Sequence, residues 1–273
     1  MTQTFSEYLT QNKPQYSFLI PKIAEVIRKT PEWTDLTKSN LYHIKNKWLE
    51  QMAANSVKTY MAVLQSVMNQ VSEEIDLPRN FSDGMKVKKQ ASTAVYLTEK
   101  EVERFRNVTV KTPNERFVHA MFLLQYDTGC RYSDAMRLTE SNISQGQLRY
   151  VSQKTSIAVT LPAKTELVKL IRELNELKAP SKPTYIKTLK NLCFRAGIRS
   201  EVCIFKGGKT LNGCKYQFVG SHTARRSFAT NLLLRGADIY TISKLMGHSS
   251  VEMTTRYICA QVVLNDKLKN FFE

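Results

Sequence analysis

Apolar side chains return with helical spacing along most of the chain, and only one stretch shows the period of strands. Phe5 to Leu9 is a short amphipathic start. From Tyr16 to Arg28, residues Phe18, Leu19, Ile23, Val26 and Ile27 form a stripe that predicts a helix closed by Pro31. After Leu36-Thr37, residues Leu41, Ile44, Trp48, Leu49 and Met52 predict the next helix. Val57, Tyr60, Met61, Leu64, Val67, Met68 and Val71 predict another, running from Ser56 to Val71 with Asn55 as its N-cap. Helices without strands make residues 1–77 an all-helical module. Such a module is either an ordinary small bundle or a clamp on a duplex. In the second case Lys45, Lys47 and Lys58 are the backbone-contact candidates.

Residues 78–95 break the pattern. They mix Pro, Gly and small polar residues with Lys86, Lys88 and Lys89, and read as a basic linker, either following a DNA backbone or simply solvated. A second domain, residues 96–258, opens with Thr98 and Glu101 at capping-box spacing. A helix follows Pro113 and ends near Thr128-Gly129, and Cys130 to Leu138 begins another with Arg131 in its first turn. The period then changes to that of strands. Asn142-Ile143, Leu148 to Ser152 and Ser156 to Leu161 read as short antiparallel strands, with Lys154 in the last turn. Helices resume over Thr165 to Leu177 and Thr184 to Ala196. Cys203 to Phe205 reads as a strand and Gly207 to Gly213 as a loop. Three helices follow, from Thr223 to Leu234, Asp238 to Met246 and Val251 to Tyr257. The expected fold class is mainly α: a helical bundle followed by an α+β domain with one small antiparallel sheet.

Charge narrows the partner. Lys and Arg number 40 against 24 Asp and Glu, a net +16. Residues 1–90 carry net +3 and residues 91–273 net +13. This excess is more than solubility requires and points to a polyanion held mainly by the second part. The five cysteines show no CxxC pairing, which argues against a disulfide framework and a zinc site. The N-terminus has no signal-peptide pattern and no run is long enough to span a bilayer. A cytoplasmic protein with no membrane partner is expected.

The densest chemistry lies between Val219 and Tyr257. His222 and Arg225 are three residues apart, on one face of a helix N-terminus, where backbone N–H groups already favour an anion. Arg225 adds a planar fork suited to two phosphate oxygens. Taken alone, this short motif is common on ordinary surface helices. Gly247-His248-Ser249-Ser250 stops one helix and caps the next, so His248 can face a ligand beside it. Tyr257 follows nine residues later. A tyrosine phenolate can attack phosphorus and form a phosphotyrosine, two arginines and a histidine can hold the charge that develops, and a lysine on a tight turn, such as Lys154, can protonate the leaving hydroxyl. Because the covalent link conserves the phosphodiester bond energy, the reaction requires no cofactor, neither ATP nor a metal.

These residues are similar to those of the tyrosine recombinase family, also called phage integrases, which includes Xer- and Cre-like proteins. T-G-C-R-Y-S-D-A resembles the box around the family's first arginine, implying catalysis by Arg131 with Asp134 in support. V-S-Q-K-T resembles the lysine hairpin and implies Lys154 as general acid. S-H-T-A-R-R and L-M-G-H-S-S-V-E-M-T-T-R-Y resemble the later boxes and imply His222, Arg225, His248 and the nucleophile Tyr257. Tyr240 reads as a structural residue. Arg226 stands where the family often has histidine and becomes a further DNA-backbone candidate. The resemblance implies a core-binding domain over 1–77, a catalytic domain over 96–258, and no separate arm-binding domain. It implies double-stranded DNA as partner, a homotetramer on synapsed DNA, a monomer or weak oligomer when free, and room for an accessory directionality or host factor at the nucleoid. Residues 259–273, with Val262, Leu264, Leu268 and Phe271, make a tail that either docks on a neighbouring protomer or packs on its own domain. The implied activity is integration, excision or resolution of a mobile DNA element. The alternatives are a type IB topoisomerase, a telomere resolvase, or an architectural DNA-binding protein without catalysis.

Overall fold

The structure is a computed structural model and describes residues 3–88, 90 and 92–258. It divides into two compact units. One takes in Met1–Ser92 with Phe205–Thr210, the other Thr93–Ile204 with Leu211–Glu273.

The first unit is helical. Helix α1 (Phe5–Asn12) is opened by a capping box between Thr4 and Glu7. Helix α2 (Leu19–Ile27) ends at Arg28, which adopts a left-handed φ of 59°, so the stop lies three residues before Pro31. Helix α3 (Lys38–Gln51) is capped by Thr37, whose hydroxyl accepts from Asn40 N. Helix α4 (Ala54–Val71) starts earlier than expected, with Ala53 at the N-cap. Asn55 is therefore inside the helix and not its cap. Its amide instead pairs with the Gln90 backbone in both directions, at 3.0 and 2.9 Å. Leu41, Ile44, Trp48, Leu64 and Met68 form the core.

The stretch 78–95 is not the open linker that its composition suggests. A helical turn, Phe81–Gly84, packs on α3 so closely that a Cβ on Gly84 would lie 2.5 Å from the Lys38 carbonyl oxygen. Met85 is buried in the first core and Val95 in the second. Apolar side chains in the middle of the stretch and at its end each join a core, which overrides the polar residues around them.

The second unit is built on α6. Helix α5 (Glu99–Arg106) carries the expected capping box of Thr98 and Glu101. Helix α6 (Pro113–Thr128) contributes Phe117, Val118, Met121, Phe122 and Leu124 to the core and packs against the later helices over Thr165–Glu176, Lys182–Arg195 and Thr223–Leu234. After the short α7 (Tyr132–Ala135) come β1 (Ile143–Ser144), β2 (Gln147–Val151) and β3 (Ala158–Pro162), antiparallel in that order with Tyr150 opposite Val159. Leu148, Tyr150, Val159 and Leu161 face the core. Helices α8 (Thr165–Glu176) and α9 (Lys182–Arg195) follow. Next, β4 (Glu201–Lys206) and β5 (Lys209–Cys214) form a separate hairpin, of which Phe205–Thr210 counts with the first unit. The expected loop over 207–213 is thus mostly strand, and the described residues hold two small sheets where one was expected. The Gly207-Gly208 pair makes the tight turn, both at positive φ. Helices α10 (Thr223–Leu234), α11 (Ile239–Leu245) and α12 (Val251–Thr255) complete the unit. Among the described residues no helix is long and apolar enough to cross a membrane.

Candidate active site

The end of α6 creates the site. Gly129 closes that helix at φ 67°, and a Cβ there would strike the Phe228 ring of α10 at 2.5 Å. Glycine therefore lets α10 approach the bend, which places Arg225 beside Arg131. Arg131 is the extended N-cap of α7, and its buried guanidinium donates from Nη1 to Ser152 Oγ (2.6 Å) and to the Gly247 carbonyl (3.3 Å). Asp134 stands 4.0 Å from that nitrogen. It acts on Arg131 mainly through Ser152, whose hydroxyl donates to Asp134 Oδ2 at 3.0 Å, while Oδ1 accepts from Gln153 N at 2.9 Å.

Arg225, in the first turn of α10, is fully buried. It donates from Nη1 to the Gly129 carbonyl and from Nη2 to the Met246 carbonyl (2.7 Å) and His248 Nε2 (2.6 Å). Its Nε is buried without a hydrogen-bond partner among the described residues. Burial, then the neighbouring Arg131, hold its pKa below the ordinary arginine value. Two guanidiniums thus sit close together with one nearby carboxylate among the described residues, Asp134, an arrangement that favours an incoming anion.

A guanidinium has no acceptor, so His248 Nε2 must accept from Arg225. The ring proton is then on Nδ1 and is donated to Thr254 Oγ1 at 2.8 Å. Burial first, then Arg225 and Arg131, push the His248 pKa down to about 3. The unfolded chain binds this proton near the ordinary histidine value, so the neutral fold loses stability as pH falls below about 6.5. Between pH 7 and pH 5 His248 is expected to account for about 2 kcal/mol of lost stability. Urea melts of the wild type and His248→Gln at both pH values check this, because the variant should lose less on acidification. Equal losses in both would contradict it.

Tyr257 lies just past α12, half-buried. Its hydroxyl is 3.5 Å from His222 Nδ1, and its ring centre is 5.3 Å from Arg225 Cζ and 6.0 Å from Arg226 Cζ. The His248 and His222 rings flank it at 5.2 and 6.1 Å. His222 is the N-cap residue of α10, and its pKa is lowered by partial burial and then by Arg226, Arg225, Lys182 and Lys154, which favours the neutral ring. Lys154 is exposed in the turn between β2 and β3.

The structure therefore brings Arg131, Asp134, His222, Arg225, His248 and Tyr257 together, with the Lys154 charge acting on His222. Ser152 and Thr254 were not anticipated, since single hydroxyl residues carry no spacing signal. Tyr240 is 60% exposed with Lys244 Nζ 5.0 Å from its ring centre, so it is not a core residue. Among the backbone candidates, Lys58 and Lys88 are exposed, Lys47 pairs with Glu50 at 3.2 Å, and Lys86 pairs with Asp83 at 3.7 Å. Lys45 is buried, with Nζ 4.4 Å from the Tyr42 ring centre. Arg226 is half-buried. Lys89 and the tail 259–273 lie outside the described residues.

Residues 95–262 match the Phage integrase family. The chain is 26% identical over 154 residues to a putative integrase of Pseudomonas phage Pf1, a match covering 54% of this chain and 40% of that protein. It is 27% identical over 224 residues to the tyrosine recombinase XerC of Agrobacterium fabrum, covering 78% of this chain and 70% of the relative. The chain thus spans less than half the length of one relative and about seven-tenths of the other. Among solved structures, a lambda integrase tetramer bound to a Holliday junction shares the fold, with TM-score 0.65 and 16% identity over 94% of this chain and 78% of that one.

Proposed function

The chain belongs to the phage integrase family, and on that premise we propose that it is a site-specific tyrosine recombinase that cuts and rejoins double-stranded DNA. The observation that carries the reading is the Tyr257 hydroxyl, 3.5 Å from a histidine nitrogen and beside a fully buried arginine.

In the proposed reaction, the Tyr257 oxygen attacks the scissile phosphorus and its proton passes to the neutral His222 Nδ1. The bond from phosphorus to the 5′-oxygen breaks, Lys154 supplies that oxygen with a proton, and the DNA 3′-phosphate remains on Tyr257. Arg131 and Arg225 hold the non-bridging oxygens, where negative charge concentrates. Attack by a 5′-hydroxyl from another duplex reverses every transfer and restores the phosphodiester, so the balance closes without an added energy source. Asp134, through Ser152, keeps Arg131 aimed, and His248 does the same for Arg225.

The helical first unit is then a second grip on the duplex, with Lys58 and Lys88 as exposed contacts for phosphates. Strand exchange between two duplexes requires four active sites, so a homotetramer on synapsed DNA is the working assembly. Integration, excision or resolution of a mobile element follows from which sites are paired, with accessory factors setting direction.

A library of nicked duplexes with randomised cores tests the reading. The short strand freed by cleavage diffuses away, so a protein–DNA band that survives denaturant should accumulate, and sequencing it gives the site. If duplexes that bind well yield no such band, the reading fails. Relaxation of a single duplex, or closure of hairpin ends, without exchange between two duplexes would instead assign a topoisomerase or a telomere resolvase.

A further inference from the structure

Lys154 has a flexible stem and stands in an exposed turn, yet a proton donor must be placed to within a fraction of an ångström. The turn itself is short. Ser152 N donates to the Ile157 carbonyl at 2.9 Å and Ser156 N to the Ser152 carbonyl at 2.8 Å, with Ser156 at φ 54°. Two tethers leave the turn, one on each side of Lys154. Gln153 N donates to Asp134 Oδ1 at 2.9 Å, and Thr155 Oγ1 donates to the Gly247 carbonyl at 2.8 Å.

The second tether reaches the loop that carries His248. The Gly247 carbonyl also accepts from Arg131 Nη1, so one oxygen joins the lysine turn to the first arginine. The hairpin is seated directly on this glycine. Gly247 has φ 59°, and a Cβ there would lie 3.0 Å from Val159 Cγ2 and 3.3 Å from Ser152 Cβ. The close approach and the threonine hydrogen bond are two independent contacts that join the hairpin to the His248 loop.

We propose that Thr155 is a positioning residue for Lys154, its hydroxyl holding the lysine turn on the Gly247 carbonyl so that the proton donor stays in register with Arg131, His248 and Tyr257. The proposal rests on the recombinase reading and adds to it a residue that acts through the lysine turn. Removing the hydroxyl frees one side of the turn while Asp134 still holds the other. Proton delivery suffers, and the phosphate-holding groups stay in place.

The test compares substrates that differ in one atom. A bridging 5′-oxygen leaves as an alkoxide and needs the proton, whereas a bridging 5′-sulfur leaves as a thiolate and does not. Thr155→Val is expected to slow cleavage of the oxygen substrate by about 10- to 100-fold and to cleave the sulfur substrate within about threefold of the wild-type rate. Lys154→Ala should show the same pattern more strongly, and Thr155→Ser should stay close to the wild type on both substrates. Equal loss on both substrates, or no loss on oxygen, overturns the proposal. Should Thr155→Val fail to fold, Thr155→Ala is read with the same substrate pair and the same criteria. A wild-type protein that forms no adduct with either substrate overturns the recombinase reading, and this proposal with it. That failure appears in the wild-type lane and is distinct from a failure confined to Thr155.

Discussion

Tyr257→Phe is expected to form no detectable covalent adduct on a nicked duplex, while its affinity for intact DNA should stay within about twofold of the wild type. The expectation follows from what the substitution removes. Among the described residues the hydroxyl has one hydrogen-bond neighbour, His222 Nδ1 at 3.5 Å, whereas the ring keeps its contacts with His248, Arg225 and Arg226. The phenylalanine ring fills the same space, so the fold and the positive surface around the site persist. The chemical step loses the proposed nucleophilic atom, and water in its place cannot form a protein–DNA bond. Gel shift measures the binding and a denaturing gel the adduct. An adduct that survives Tyr257→Phe would move the nucleophile elsewhere, with the exposed Tyr240 on α11 as the next residue to examine. Tyr240→Phe is therefore the natural companion and should leave the adduct intact.

How much of this could be read from the sequence depended on the range of the interaction. The helices of both units were legible because their apolar stripes and caps are local, as at Thr37 and at Thr98 with Glu101. The β2–β3 hairpin was legible from its alternation, which put Lys154 in the turn. Of the β4–β5 hairpin, the first strand was read at Cys203 to Phe205, but β5 was missed although Gly207-Gly208 announced the turn, because β5 is mostly exposed and gives no alternating pattern. Asn55 looked like a cap, but its partner is the Gln90 backbone, 35 residues away. Lys45 looked solvent-facing, yet it lies against Tyr42. At the site, the charged and aromatic groups stood out by type and spacing. Ser152, Thr155 and Thr254 did not, because a hydroxyl gains its role only when folding brings Arg131, Gly247 and His248 to it. The full burial of Arg225 was also illegible, since it depends on two backbone carbonyls from the ends of separate helices, at Gly129 and Met246.

That burial sets the second large effect. Arg225→Lys keeps the charge but is expected to slow adduct formation by about 10²- to 10³-fold, with DNA affinity little changed. Lysine offers a single ammonium where arginine presents a planar fork, so it cannot hold the Gly129 carbonyl, the Met246 carbonyl and His248 Nε2 while also turning an N–H toward a phosphate. Each buried acceptor left without a donor costs about 1–3 kcal/mol, so stability should fall together with activity. A loss of this size lowers the melting temperature of a unit this large by about 2–4 °C for every kcal/mol. The two readouts separate the two roles of the residue. A variant that melts lower but cleaves at nearly the wild-type rate would make Arg225 a brace between α6, α10 and the His248 loop, and would remove it from the phosphate site. A variant that melts like the wild type and cleaves slowly would mean that the carbonyl contacts contribute little to the fold. If both fall, the same guanidinium ties the helix ends together and meets the substrate, which explains why a charged side chain is kept where no solvent reaches it.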